Sequence, residues 1–61
     1  MSNAYYVSKV DPRITVSTLK IFKSVLTGDM KKDLKTLSTA FRVYHLSQKE
    51  WERVILEAIN A

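Results

Sequence analysis

The chain of 61 residues has no cysteine, one histidine, one glycine and one proline. Without cysteine it forms no disulfide and no thiolate metal site, and a single histidine cannot complete a zinc site of His and Cys ligands. One glycine is too few for a glycine-rich phosphate-binding loop. We therefore expect no metal and no cofactor in this protein.

Long apolar runs are also missing. No run approaches the roughly 18 residues of a membrane span, and the N-terminus lacks the basic-then-apolar layout of a signal peptide. The lack of cysteine is compatible with a reducing compartment. The sequence therefore predicts a cytoplasmic protein that makes no membrane contact.

Catalytic chemistry has little support in so short a chain. A domain of this size buries only about 60% of the surface that its unfolded chain exposes. That leaves little room for a cleft that shifts the pKa values of paired carboxylates. His45 is the one candidate acid–base group, and its predicted place at a helix end suits a cation near the helix dipole. We expect a protein that is not an enzyme.

Positive charge is what the chain has in excess. Ten Lys and Arg residues stand against six Asp and Glu, for a net charge of +4. Residues 1–46 hold eight basic and three acidic residues, whereas residues 47–61 hold two basic and three acidic ones. An anionic partner should therefore meet the first two predicted helices.

Apolar spacing predicts an all-α fold. Between residues 30 and 44, successive apolar residues are 4, 3, 4 and 3 positions apart, as on one face of a helix in a bundle. These residues are Met30, Leu34, Leu37, Phe41 and Tyr44. The prediction is one domain over residues 1–61, a small three-helix bundle with a short extended N-terminal arm. The predicted ranges are residues 1–11 for the arm and about 12–27, 30–45 and 48–59 for the helices.

Turn-forming and polar residues indicate where the first two helices begin and end. Asp11 or Thr15 can cap the first helix. The β-branched run 14–16 leaves a short strand possible at that point. Gly28 is predicted to end this helix in a left-handed conformation, and Asp29 is predicted to cap the second helix.

The third helix has the most explicit start. Ser47 and Glu50 have the spacing of a capping box, in which each side chain accepts a hydrogen bond from the other residue's backbone N–H. Leu46 and Trp51 have the spacing of a hydrophobic staple around that box. A sharp corner between the second and third helices is therefore expected near His45.

Residues 40–55 resemble the helix-turn-helix segment of bacterial and phage repressors. That motif has an apolar residue and a Ser-Gln pair in the turn, an apolar residue four positions after the serine, and an apolar pair three and four positions further on. The matching residues are Leu46, Ser47, Gln48, Trp51, Val54 and Ile55. His45 stands where the motif has glycine, and Phe41 where it has a small alanine. A capping box with a staple explains the same residues without DNA.

The resemblance implies DNA binding, with Gln48, Lys49, Glu52 and Arg53 facing the major groove. Lysines around the turn at residues 27–29 offer phosphate contacts as well. They are Lys20, Lys23, Lys31, Lys32 and Lys35. An ordinary solvated basic face explains these lysines equally well. The predicted nucleic-acid-binding residues are Lys31, Lys32, Lys35, Arg42, Gln48, Lys49 and Arg53.

The apolar content exceeds what a three-helix monomer comfortably hides, and a lone strand in the arm would need a second chain to pair with. We therefore predict a homodimer. The predicted dimer or partner contacts are Tyr5, Tyr6, Val7, Ile21 and Leu56. The function ranked first is a small regulatory protein that binds nucleic acid, with DNA the favoured class. The alternative is a protein–protein adaptor or inhibitor that docks an apolar helical face without touching nucleic acid.

Overall fold

The computed structural model describes residues 7–61 and confirms the all-α fold class with three helices. A short 3-10 helix follows the second of them. The elements are α1 (Val16–Val25), α2 (Met30–Ala40), the 3-10 helix (Arg42–Tyr44) and α3 (Gln48–Ile59).

The start of α1 is set by Thr15, whose hydroxyl accepts from the backbone N–H of Thr18 at 3.4 Å. Asp11 has a different role. Its carboxylate accepts from the backbone N–H of Arg13 at 2.9 Å and closes a turn ahead of the helix. The prediction of a helix from residue 12 is therefore wrong, and the alternative start after Thr15 is the one that the chain uses.

The end of α1 differs from the predicted one. The helix ends at Val25, and its C-cap Leu26 is extended, with ψ at 142°. Gly28 has a positive φ of 93°, but it lies within the connection and does not cap the helix. The carboxylate of Asp33 accepts from the N–H and hydroxyl of Thr27, both at 2.9 Å, and from the N–H of Gly28 at 3.3 Å. A side chain of α2 thus shapes the connection that precedes α2.

α2 begins as predicted and ends early. Asp29 is its N-cap, accepting from the N–H groups two and three residues further on at 3.1 and 3.4 Å. The helix ends at Ala40 rather than at residue 45. Beyond Phe41 the backbone tightens into the 3-10 helix, in which the N–H of Tyr44 donates to the carbonyl of Phe41 at 3.1 Å. His45 then turns the chain in a left-handed conformation, with φ 55° and ψ 40°.

The start of α3 confirms the predicted capping box. The hydroxyl of Ser47 accepts from the N–H of Glu50 at 3.2 Å, and the carboxylate of Glu50 accepts from the N–H of Ser47 at 2.8 Å. Leu46 and Trp51 both pack into the core, as a hydrophobic staple requires.

The core is organised around the ring of Phe22. Its centroid lies 4.7 Å from that of Phe41 and 5.8 Å from that of Trp51, both in the edge-to-face arrangement that aromatic pairs prefer. The fully buried apolar residues are Ile14, Leu19, Phe22, Leu37, Trp51, Val54, Ile55 and Ala58. Ile59 follows Ile55 by four residues, and that spacing predicts a buried position. It is instead 51% exposed.

The described part of the arm folds back on its own chain. Val7 and Thr15 form an isolated antiparallel bridge. The sequence suggested that a strand in the arm would pair with a second chain. Val7 instead pairs with Thr15 of the same chain. The predicted contacts Tyr5 and Tyr6 lie outside the described residues.

Candidate nucleic-acid interface

The first two turns of α3 present outward the residues that the helix-turn-helix resemblance assigns to the major groove. Gln48, Lys49 and Arg53 are exposed, and Glu52 is half-buried. Successive residues of an α-helix are about 100° apart, so Gln48 and Trp51 lie towards one side of α3 and Lys49 and Arg53 towards the other.

On the first of these sides an open cleft of about 520 Å³ separates α2 from the start of α3. We call it the α2–α3 cleft. Its lining residues are Lys31, Leu34, Lys35, Ser38, Leu46, Gln48 and Trp51. The apolar members are its more buried residues, and the two lysines and Gln48 are exposed. The cleft therefore combines an apolar base with a positively charged margin.

On the other side of α3 a second cleft of about 530 Å³ lies against the N-terminal arm. We call it the arm cleft. Its lining residues are Lys9, Val10, Ser47, Lys49, Glu50 and Arg53. Three cationic side chains thus share this cleft with one carboxylate, and that carboxylate is held in the capping box.

The two clefts divide the predicted nucleic-acid-binding residues into two groups. Lys31, Lys35 and Gln48 line the α2–α3 cleft. Lys49 and Arg53 line the arm cleft. The remaining two are exposed but line neither cleft; they are Lys32 and Arg42.

The lysines around residues 27–29 do not form one patch. The ammonium group of Lys23 donates to the carbonyl of Ala61 at 3.3 Å, beyond the C-terminal end of α3. Lys31 and Lys35 lie beside the N-terminal end of that helix. A helix of 12 residues is about 18 Å long, so these charges are well separated. The expected cluster at the turn is therefore wrong for Lys23.

The acidic side chains are largely committed to bonds within the fold. Five of the six accept hydrogen bonds from described residues: Asp11, Asp29, Asp33, Glu50 and Glu57. All ten Lys and Arg residues lie within residues 7–61, and among these Arg13 alone forms an ion pair, with Asp11 at 2.7 Å. The positive charge of the remaining cations is thus not neutralised by an ion pair with a described residue.

Two of these carboxylates have shifted pKa values. Hydrogen bonds from the side chain and backbone of Arg13 lower the pKa of Asp11. Burial acts to raise the pKa of Asp33, but hydrogen bonds from Thr27 and Gly28 and the charge of Lys32 outweigh burial and lower it. Both groups are ionised at neutral pH and stabilise turns in that form.

Arg13 has a structural role that the sequence did not indicate. Its guanidinium lies over the ring of Tyr44, 5.2 Å from the centroid, and donates to the Tyr44 carbonyl at 3.3 Å. This contact joins the turn that precedes α1 to the 3-10 helix. The guanidinium of Arg13 is therefore engaged by Asp11 and Tyr44, and Arg13 is not a candidate for partner binding.

Lys9 is the site residue that sequence reasoning missed. It belongs to the arm, which was assigned to subunit contact, yet it lines the arm cleft beside Lys49 and Arg53. It reaches that place because its backbone N–H donates to the carboxylate of Glu57 at 3.0 Å. No local spacing connects residues 48 positions apart in the chain, so no sequence signal could have found it.

The predicted subunit contacts that the structure describes are accessible. Val7 is 38% exposed, Ile21 56% and Leu56 53%. Residues 7–61 contain no group of three His, Asp or Glu side chains placed to hold a metal ion. Within the same residues, none of the helices has the length and apolar character needed to cross a membrane.

These features define a small three-helix protein with basic clefts on two sides of its last helix. Comparison with protein-family models, with curated proteins and with solved structures yields no significant match to this chain.

Proposed function

We propose that this protein is a small non-enzymatic regulatory protein that binds nucleic acid, with duplex DNA as the favoured class. The observation that carries the proposal is the contrast between its charges. Five of the six carboxylates are engaged within the fold, whereas the cations that line the clefts on both sides of the first turns of α3 form no ion pair with a described residue. Phosphate contacts supply most of the affinity in such complexes.

The arrangement suits a helix that enters the major groove between two phosphate backbones. That groove admits an α-helix, and basic residues beside the helix then contact phosphates and fix its orientation. Lys31 and Lys35 would contact phosphates on one side of α3. Gln48, at its N-terminal end, is the base-contacting candidate, since Gln pairs with adenine.

The test is fluorescence anisotropy of a labelled duplex of random sequence, titrated at several salt concentrations, with Trp51 emission followed in parallel. Each lost phosphate contact should reduce the slope of log affinity against log salt by about 0.9. We expect Lys31→Gln/Lys35→Gln to reduce it by about 1.8.

The matched control is Lys20→Gln/Lys23→Gln, which removes the same charge from α1 residues that line neither cleft. It should change the slope little. Wild-type protein that fails to bind duplex at low salt, or a control that loses as much slope as the double variant of α2, would contradict the proposal.

A second function is favoured by one feature of the α2–α3 cleft. Leu34, Leu46 and Trp51 form an apolar base beneath Lys31 and Lys35, which is the pattern of a groove that accepts an amphipathic helix. The partner would be an acidic amphipathic segment of another protein, and the chain would act as an adaptor or inhibitor. Quenching or shift of Trp51 emission by a synthetic helical peptide of leucine and glutamate, without any DNA binding, would favour this function.

A further inference from the structure

The described part of the arm forms a closed loop with residues 12–15. Beyond the bridge between Val7 and Thr15, the N–H of Ser8 donates to the carbonyl of Ile14 at 2.7 Å. The hydroxyl of Ser8 accepts from the N–H of Val10 at 3.0 Å. Since Ser8 is 97% buried, the loop is held firmly on either side of Lys9, whose own side chain is exposed.

Glu57 of α3 holds this loop against the helix. One of its carboxylate oxygens accepts from the hydroxyl of Ser8, and the other accepts from the backbone N–H of Lys9 at 3.0 Å. Glu57 lies four residues after Arg53 and so shares a side of α3 with it. The contact therefore brings the arm to the side of α3 that carries the arm cleft.

The cleft that results is rich in positive charge. Lys9, Lys49 and Arg53 line it, and none of the three forms an ion pair with a described residue. Glu50, its one carboxylate, accepts from the N–H of Ser47. Three like charges around one cleft repel each other, and an anion between them relieves that repulsion. Arginine and lysine together are well suited to a phosphate, which accepts several charge-assisted hydrogen bonds.

We propose that the arm cleft is a phosphate-binding site that only the docked arm completes. Lys9 contacts the phosphate together with Lys49 and Arg53, and Glu57 is a positioning residue that holds Lys9 in place. The site rests on the proposed function when the phosphate belongs to the backbone of bound nucleic acid. A free phosphate would satisfy the same chemistry.

The experiment uses the full chain and two probes, a labelled DNA duplex and inorganic phosphate. Duplex binding is measured by anisotropy across a salt series. We expect Lys9→Gln to lower the salt slope by about 0.9 and to weaken binding by roughly eightfold near 0.1 M salt. The matched control, Lys20→Gln, removes the same charge from α1 and should leave the slope nearly unchanged.

The variant Glu57→Ala distinguishes the positioning of Lys9 by Glu57 from the effect of the negative charge of Glu57. Removal of a negative charge close to the site should strengthen anion binding if charge alone matters. We expect the opposite, weaker binding, because the arm is released. A double variant with Lys9→Gln should then bind no more weakly than Lys9→Gln alone, since both changes remove the same contact. Tighter duplex binding by Glu57→Ala would overturn its positioning role.

The two probes distinguish failure of the site from failure of the proposed function. If wild-type protein binds duplex and Lys9→Gln matches it in affinity and slope, or weakens it no more than Lys20→Gln does, the site is overturned and the proposed function stands. If duplex does not bind but inorganic phosphate shifts the amide NMR signals of Lys9 and Lys49, the site is supported with free phosphate as its ligand, and the proposed function fails. Absence of both responses overturns both.

Discussion

Asp33 shows how one buried side chain controls a connection that precedes it in sequence. Asp33 is 3% exposed, and its carboxylate accepts three hydrogen bonds from Thr27 and Gly28. Without these bonds the buried carboxylate of Asp33 would lack partners, which is costly inside a protein. The same residue looks like an ordinary helix-surface acid when only its neighbours in sequence are considered.

We expect Asp33 to make stability depend on acidic pH. Its pKa is lowered in the folded state, so its contribution is present above the ordinary value of 3.8 and is lost as pH falls through the lower folded value. Thermal unfolding followed by circular dichroism should show a melting temperature that falls below about pH 4. Asp33→Asn should melt lower at pH 7 and lose less on acidification. A Glu52→Gln control should keep the wild-type acid dependence; an identical pH profile for Asp33→Asn would contradict the argument.

His45 is notable for its backbone conformation. Its φ of 55° is in the left-handed region, which a side chain with a Cβ occupies at a cost of roughly 1–2 kcal/mol. It stands where the helix-turn-helix motif has glycine, and it adopts the kind of conformation that glycine adopts freely. The chain thus makes the turn without glycine at a cost in stability.

His45→Gly should therefore stabilise the protein. The relief of strain is partly offset by the larger backbone entropy of glycine in the unfolded state, so the expected net gain is up to about 1 kcal/mol. Urea denaturation measures it. The control, Lys32→Gly within α2, should cost about 1 kcal/mol. Destabilisation by His45→Gly would show that the imidazole makes a contribution larger than the strain.

The start of α3 is decided by its own residues. The two reciprocal bonds of Ser47 and Glu50 occupy N–H groups that would otherwise be unpaired at the helix end. These bonds link residues three apart, so the pattern S-x-x-E was enough to predict them.

Loss of the cap should weaken the whole fold, because Trp51 and Val54 of α3 are core residues. We expect Ser47→Ala to lower the free energy of unfolding by about 1 kcal/mol, within a range of roughly 0.5–2. Ser47→Thr keeps the hydroxyl and should lose much less. Urea titration followed by Trp51 emission gives both values, and equal stability of the alanine and wild-type proteins would rule out a contribution from the cap.

The apolar spacing of the sequence overestimates the length of α2. The spacing of its apolar residues continues to Tyr44, yet the α-helix ends at Ala40. Phe41 and Tyr44 still meet Phe22, at centroid distances of 4.7 and 6.4 Å, through the 3-10 helix. Apolar periodicity therefore predicted that Leu34, Leu37, Phe41 and Tyr44 pack in the core, but it wrongly included Met30, which is 37% exposed. It also did not predict the backbone conformation at the end of the segment.

At the scale of the whole molecule, stability is expected to be small. Proteins are stable by roughly 0.05–0.15 kcal/mol per residue, which for 61 residues is about 3–9 kcal/mol. Each contact between distant segments, such as that of the arm with Glu57 or of Arg13 with Tyr44, is therefore a large fraction of the total stability. Association with a second chain would add to this margin.

We expect the protein to sediment as a dimer at micromolar concentration. Ile21 and Leu56 expose more than half of their surface, and a subunit contact would remove that apolar surface from water. Ile21→Lys/Leu56→Lys should produce monomers while helix content stays unchanged. Val43→Lys is the control, since Val43 is 66% exposed and is not a predicted contact. A wild-type monomer in analytical ultracentrifugation would contradict the prediction.

The candidate site was only partly predictable. Lys31, Lys35 and Gln48 were selected by charge and by the helix-turn-helix resemblance, and the structure groups them in the α2–α3 cleft. Lys9 was not selected, and Lys23 proved to lie apart. Charge patterns indicate which residues are available to a partner. They do not indicate which of those residues end up side by side.

The sequence by itself determined the features that depend on near neighbours: the all-α class, the caps at Asp29 and Ser47, and the place of Leu37, Phe41 and Trp51 in the core. These follow from hydrogen bonds and spacings over three or four residues. The tertiary structure alone decided that Asp33 shapes the connection to α1 and that Glu57 holds the arm, which brings Lys9 to α3. The carboxylate of Asp33 meets its donor six residues away, and that of Glu57 meets its donor 48 residues away. Such contacts form only once the connection and the arm have packed against the helices.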